Sequence, residues 1–221
     1  MKIVNISDIH SKYKQIKNLP NGDVIIVSGD ITSVGYIHEV KYFLNWFNKL
    51  NYKYKIFIAG NHDFLFEEQS SLAKEMINIT DVIYLEDSEI IIDGIKFYGT
   101  PVSKPFYDWA FNRDDERREL HFLNIPHDVD VLITHTPPFS ILDMTKNNGN
   151  QGCPILLKQF ESGRIKPLIN VFGHIHEGYG THKKYDTLFI NASILNDKYY
   201  LVNKPIVVEI DDNKNVNVIE Y

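Results

Sequence analysis

Five apolar runs in this sequence end in side chains that can bind a cation or move a proton. "KIVNIS" (2–7) leads into Asp8 and His10, "DVIIVSG" (23–29) into Asp30, and "KIFIAG" (55–60) into Asn61 and His62. "DVLIT" (130–134) leads into His135, and "LINVFG" (168–173) into His174 and His176. Imidazole suits zinc, iron, manganese and nickel, whereas carboxylate and amide oxygens suit harder ions. In an extended segment residues i and i+2 share a side, about 6–7 Å apart. Asp8/His10 and His174/His176 could therefore each present paired ligands. Two cations about 3.5–4 Å apart need a shared ligand, and Asp30, with two oxygens, is the natural bridge. Singly, each piece has an ordinary explanation: an aspartate after a strand caps a turn, and a histidine can close a strand. Five strand ends that all carry ligands are not explained in that way. His38, His121, His127 and His182 lack this setting and are expected at surface or packing positions.

Something must hold those strand ends together. The five runs are short, rich in β-branched residues and bounded by polar or glycine signals, so each reads as a buried strand. Between the second and third, "IHEVKYFLNWFNKL" (37–50) repeats Ile37, Val40, Leu44, Phe47 and Leu50 at helical spacing. Further helices are expected near 66–78, 113–123 and 153–162, the last with Pro154 in its first turn. "SEIIIDGIKFYG" (88–99) places Asp93-Gly94 between two apolar runs, a strong hairpin signal. "TLFINAS" (187–193) and "PIVVEIDDNKNVNVIEY" (205–221) add a strand and a terminal hairpin. Strands alternating with helices indicate an α/β layer structure. The expectation is two packed sheets with helices outside, in one domain spanning 1–221.

The chain has 221 residues, 43% hydrophobic and 24% charged, which excludes a disordered polyampholyte. Its net charge is −6, from 23 basic and 29 acidic residues, with no long basic run. A long nucleic acid is therefore not an expected partner. Cys153 is the one cysteine, so no intrachain disulfide forms and a buried thiol is expected. "MKIVNISDIH" lacks the apolar core of a signal peptide, and no stretch approaches the ~18 apolar residues of a membrane span. No membrane association is expected, and a cytoplasmic location is the default. Oligomeric state is left open.

"SDIH" (7–10), "SGD" (28–30), "AGNHD" (59–63), "ITHTPP" (133–138) and "FGHIH" (172–176) follow one another in an order that resembles the calcineurin-like metallophosphoesterase superfamily. "YKIFIAGNHD", "YLEDSEI", "HEGYGT" and "INAS" are similar to a branch of metallophosphoesterase-domain phosphodiesterases found in vertebrate brain and in microbes. The resemblance implies a four-layered α/β/β/α sandwich with a two-metal centre. It implies Asp8, His10, Asp30 and His176 on one metal, and Asp30, Asn61, His135 and His174 on the other. It places His62 beside the leaving group. Manganese is the first metal expected, with iron, zinc, cobalt and nickel as alternatives. One departure stands out. Ser/Thr phosphatases of the superfamily carry G-D-x-x-D-R-G, and this chain reads "GDITSVG", without the arginine and second aspartate. What orients His62 is then unassigned, since the side chain of neighbouring Asp63 diverges on an extended segment.

Two divalent ions, two aspartates and a bridging hydroxide leave a centre about one unit positive, suited to a phosphodiester monoanion. Coordination lowers the pKa of water toward ~7, and a protonated His62 can stabilise the leaving oxygen. The activity implied is hydrolysis of small phosphodiesters, 2',3'- or 3',5'-cyclic nucleotides first. A phosphomonoesterase or nuclease on the same centre, or a binding module that has lost catalysis, are the alternatives. "KPFYDWAFN" (104–112) gathers Phe106, Tyr107, Trp109 and Phe111 after a strand, where they could stack a nucleobase or pack beneath a loop. Tyr179, within "EGYGT" (177–181), is a further candidate contact.

Overall fold

The computed structural model describes residues 1–219. In chain order the elements are β1 (Lys2–Ile6), β2 (Val24–Ser28), α1 (Ile37–Asn48), β3 (Tyr54–Ile58), α2 (Phe64–Glu68), α3 (Ser70–Asn78) and β4 (Ile83–Tyr84). Then come β5 (Ser88–Ile92), β6 (Ile95–Thr100), α4 (Asp115–Leu123), β7 (Val131–Thr134), β8 (Met144–Thr145), β9 (Gly149–Asn150) and α5 (Pro154–Glu161). Last are β10 (Ile169–Phe172), β11 (Gly180–Lys184), β12 (Thr187–Asn191), β13 (Ile206–Ile210) and β14 (Val216–Ile219). The last two residues of the expected terminal hairpin, 220 and 221, lie outside the described residues.

Two six-stranded mixed sheets form, ordered β14-β13-β1-β2-β3-β4 and β11-β12-β10-β7-β6-β5, with β8-β9 as a separate small hairpin. β1, β2, β3 and β4 run parallel, as do β6, β7, β10 and β12. Antiparallel strands finish the sheets: β13 and β14 on the first, β5 and β11 on the second. Every residue of β2, β7 and β10 is buried, which explains their continuous apolar character: side chains on both faces meet a core.

Three apolar layers result. Ile26, Ile56 and Val208 of the first sheet meet Phe97, Ile133 and Val171 of the second in the central layer. On the outer face of the first sheet, Val27 and Phe57 pack against Val40, Phe43 and Phe47 of α1. Beyond the second sheet, Leu132, Phe172 and Phe189 pack against Phe122 of α4 and Leu156 and Phe160 of α5. The molecule is the expected α/β/β/α sandwich. The helix read near 66–78 is two, because the backbone at Gln69 (φ −133°, ψ 50°) leaves helical geometry. Asp93 and Gly94 both take positive φ (48° and 81°), the turn a two-residue hairpin requires.

Candidate metal centre

The parallel strands β1, β2 and β3 of one sheet and β7 and β10 of the other all deliver their carboxyl ends to one edge of the sandwich, where open α/β sheets place ligands. Past β1 the chain does not stay extended, contrary to the sequence reading of Asp8/His10 and His174/His176 as extended pairs. Asp8 (φ 55°), His10 (φ 43°), Asp30 (φ 51°) and His174 (φ 66°) all sit in the left-handed region. Each such placement of a non-glycine residue costs roughly 1–3 kcal/mol, so surrounding contacts must enforce it. They do: the Asp8 carboxylate accepts hydrogen bonds from the His174 backbone N–H (3.0 and 3.1 Å) and from Ser193 Oγ (2.6 Å). Asp30 Oδ1 accepts from the His62 backbone N–H at 2.9 Å. Glycine makes the approach possible. A Cβ on Gly173 would stand 2.1 Å from Asp8 Oδ2, and one on Gly60 would stand 2.3 Å from Asp30 Oδ1.

Three groups of donor atoms converge, each within 4.8 Å: Asp8, His10 and His176; His10, Asp30 and His62; Asp30, His135 and His174. Asp30 is common to the last two. Its Oδ2 lies 3.6 Å from His10 Nε2 and 4.0 Å from His62 Nε2, and its Oδ1 lies 3.4 Å from His135 Nε2. Asp8 Oδ1 lies 3.6 Å from His176 Nε2. Asn61 Oδ1 completes the third group, 2.9 Å from His135 Nε2 and 2.8 Å from His174 Nδ1. Ligands about 2.1 Å from a common tetrahedral or octahedral cation stand about 3.0–3.4 Å apart, close to these separations. A second observation supports the fit: His10 Nε2 is fully buried with no hydrogen-bond partner among the described residues. An imidazole nitrogen left so, beside two carboxylates, suits a cation.

Backbone carbonyls set the tautomers. His135 Nδ1–H donates to Ser28 O at 3.0 Å and His176 Nδ1–H to Asn196 O at 2.9 Å, leaving each Nε2 to face the centre. His62 Nδ1–H donates to Ser33 O at 2.6 Å. This supplies the orienting partner that the sequence left unassigned. Asp63 does something else. Fully buried, it accepts from the backbone N–H groups of Ile31 (3.1 Å), Thr32 (2.9 Å) and Gly60 (2.8 Å) and from Thr32 Oγ1 (2.6 Å). It ties the loop after β2 to the loop after β3. Burial, and then the charge of Asp30, push its carboxyl up to about 6.

Opposed charges dominate the rest. Burial works against ionisation of Asp8 and Asp30, but His176 beside the first and His135 beside the second hold both well below the usual carboxylate range. Burial likewise opposes a charged imidazole, yet Asp30 lifts His135 to about 9 and Asp8 lifts His176 to about 9. His10 and His174, where burial prevails, fall to about 4.

The aromatic candidates separate. Trp109 faces His62, ring centroids 4.0 Å apart and planes 35° apart. With Phe106 it borders a cavity of about 170 Å³ over His10, Asp30 and Asn61. Tyr107 is 81% exposed and packs edge-on against Phe106, away from that cavity. Phe111 is only 2% exposed and belongs to the core on the outer face of the first sheet, so it is not a surface contact: the loop turns inward where the Phe111 N–H meets Glu67 Oε2 of α2 (2.8 Å). Tyr179 is not at the centre either, since its hydroxyl donates to Lys204 O (2.9 Å) in a separate cavity at the β11 and β13 edge. Sequence reasoning missed Tyr199, whose ring lies 4.9 Å from that of His10 and 5.3 Å from that of His176. No spacing signal marks it. The other histidines stand apart: His121 contacts Asp87, His127 contacts Arg164 O, and His38 stacks on Tyr36. Cys153 is buried.

A two-sheet sandwich whose parallel strand ends converge on paired His/Asp clusters defines a metal-dependent phosphoesterase architecture. The chain belongs to the calcineurin-like phosphoesterase family, whose model matches residues 1–178, a family that uses divalent metals. Among curated relatives, metallophosphoesterase domain-containing protein 1 of Homo sapiens is 39% identical, covering 97% of this chain and 72% of its own. A UPF0046 protein of Caenorhabditis elegans is 38% identical over 95% of this chain and 60% of its own. A probable cyclic nucleotide phosphodiesterase of Xenorhabdus bovienii is 34% identical over 34% of this chain and 39% of its own. Of solved structures, TT1561 of Thermus thermophilus matches with a TM-score of 0.69 at 11% identity, covering 98% of this chain and 97% of that one. A novel archaeal phosphodiesterase matches with a TM-score of 0.51 at 20% identity, covering 99% of each.

Proposed function

We propose that this protein hydrolyses small phosphodiesters, cyclic nucleotides first among them, at a centre of two divalent cations, with manganese the first choice. The observation that carries the reading is Asp30, whose two oxygens face different imidazoles, His135 from one and His10 from the other. Asp8, His10, Asp30 and His176 would hold one ion, and Asp30, Asn61, His135 and His174 the other. Divalent cations bound there would polarise phosphoryl oxygens and bring the pKa of water toward ~7. The rest falls to the chain itself. With Nδ1–H engaged by Ser33 O, His62 presents Nε2 to the cavity. A proton on Nε2 passes to the leaving oxygen as the P–O bond breaks. Trp109 against the imidazole restricts its rotation. The Xenorhabdus relative, named for cyclic nucleotides, supports this substrate class, as does a centre about one unit positive, matched to a diester monoanion.

The test is a panel of 3',5'-cyclic AMP, bis(p-nitrophenyl) phosphate, AMP and single-stranded DNA, each with Mn²⁺, Fe²⁺, Co²⁺ and Zn²⁺. Turnover of the first two, with little on the others, is expected. Faster phosphate release from AMP than from the diesters would make the enzyme a phosphomonoesterase instead.

A further inference from the structure

A second cavity, about 410 Å³, opens beside the centre and shares His174, His176, Phe106 and Tyr199 with the smaller one. Its volume falls in the range of small-molecule sites, ~300–1,000 Å³. One wall is the loop after β6, with Lys104 and Phe106; the facing wall is the β8-β9 hairpin, with Thr145, Asn148 and Gln151.

The hairpin is short, but it is pinned. The Asp143 carboxylate at its base accepts from the N–H groups of Ser140 (3.0 Å) and Gly152 (2.7 Å) and from the Asn150 carboxamide. At its tip Lys146 pairs with Asp197 (2.6 Å), and its N–H donates to Glu177 (3.3 Å). Polar groups on it are thus held in place facing the cavity. Gln151 Nε2 donates to Asn148 O at 2.6 Å, leaving its amide oxygen open. Among the described residues the Asn148 carboxamide makes no hydrogen bond.

An aromatic face beside neutral carboxamides matches what a nucleobase presents: a π surface, and an edge of mixed donors and acceptors. Phe106 is 57% and Tyr199 41% exposed, so both rings have area to offer. Asp197 and Glu177 line the same cavity; the Lys146 ammonium pairs with the first, while the second accepts only from the Lys146 backbone N–H. Among the described residues Lys104 is thus the one lining ammonium left for a phosphate, and a second phosphate would face a carboxylate. A mononucleotide, with its single phosphate toward His174 and His176, satisfies both conditions.

We propose that this cavity is a nucleoside pocket, in which Asn148 and Gln151 hydrogen-bond the base edge while Phe106 packs on its face. The inference rests on the phosphodiesterase reading and gives it a specificity device: the β8-β9 hairpin. The test uses the whole chain with Mn²⁺, the double variant Asn148→Ala/Gln151→Ala, and Phe106→Ala. For each, kcat/KM on 3',5'-cyclic AMP relative to that on bis(p-nitrophenyl) phosphate is expected to fall about tenfold, mainly through KM. The Kd of AMP, by titration calorimetry, should rise by a similar factor. A wild-type selectivity ratio in the double variant, together with an unchanged Kd, overturns the pocket. If the wild-type protein turns over neither diester, the phosphodiesterase reading fails, and the AMP titration still decides the pocket on its own.

Discussion

Asp30 is placed so that its removal has a distinctive effect. Asp30→Ala takes away the oxygens facing both His10 and His135, and leaves Asp8 as the one carboxylate among the proposed ligands. Metal content by elemental analysis and phosphodiesterase activity are both expected to collapse together; full turnover from a metal-free variant would contradict the shared-ligand reading. His62 is not among the proposed ligands, although its Nε2 lies 4.0 Å from Asp30 Oδ2. His62→Ala is expected to retain metal while kcat falls about 10²–10⁴-fold, the usual cost of a lost acid–base group. The imidazoles also predict a pH response for protein stripped by a chelator. His10 and His174, held at about 4, give stability that is full above ~6.5 and is lost as pH falls toward 4. His135 and His176, held at about 9, give stability that is full below ~6.5 and is lost as pH rises toward 9. Thermal melts of stripped protein should therefore peak near pH ~6.5, and a monotonic profile would show the imidazoles are not held this way.

At the scale of elements, the loops matter more than the strands they leave. Asp63 accepts four hydrogen bonds, three of them from backbone N–H groups that can only donate, uniting the loops that carry Asp30 and His62. Asp63→Asn turns one acceptor into a donor facing N–H groups, at a cost of about 1–3 kcal/mol. Both the melting temperature and kcat should drop, and a variant that loses neither would show the loops are held by other contacts. This arrangement was only half legible in the sequence. The seven proposed ligands stood out because polar residues follow buried β-branched runs, a contrast that survives without coordinates. Asp63 was visible as a residue but not as a fastener, since three of its four partners are backbone N–H groups of no particular residue type. Ser33 was invisible for the same reason: a carbonyl orients His62. The β8-β9 hairpin has strands of two residues each, too short for alternation to register, and β11 is almost wholly exposed, so no apolar pattern announces it. Phe111 and Tyr179 misled because aromatic type alone does not say whether a loop turns in or out.

Across the whole molecule, the proposed ligands come from both sheets: Asp8, His10, Asp30 and Asn61 follow strands of the first, and His135, His174 and His176 follow strands of the second. A cation that binds them joins the two layers and binds the folded chain alone, so stability should rise with metal as RT ln(1 + [L]/Kd), about 4 kcal/mol at a thousand-fold excess over Kd. Chelation is expected to lower the melting temperature by several degrees, and Asp30→Ala to abolish that sensitivity. A melting temperature indifferent to chelator in the wild-type protein would argue against a metal bridging the sheets.

The central position of β1 has a bearing on how the chain is born. Lys2 to Asn5 lie between β2 on one side and Ile206 to Glu209 on the other, and the Met1 nitrogen donates to Ile210 O at 2.7 Å. β1 leaves the ribosome long before β13 does, and must wait for it before both flanks are covered. A nascent chain halted short of β13 would carry all seven proposed ligands, and Ser193 beside Asp8, while the flank of Lys2 to Asn5 still lay open, so the ligand set is complete before the sheet that carries Asp8 is closed.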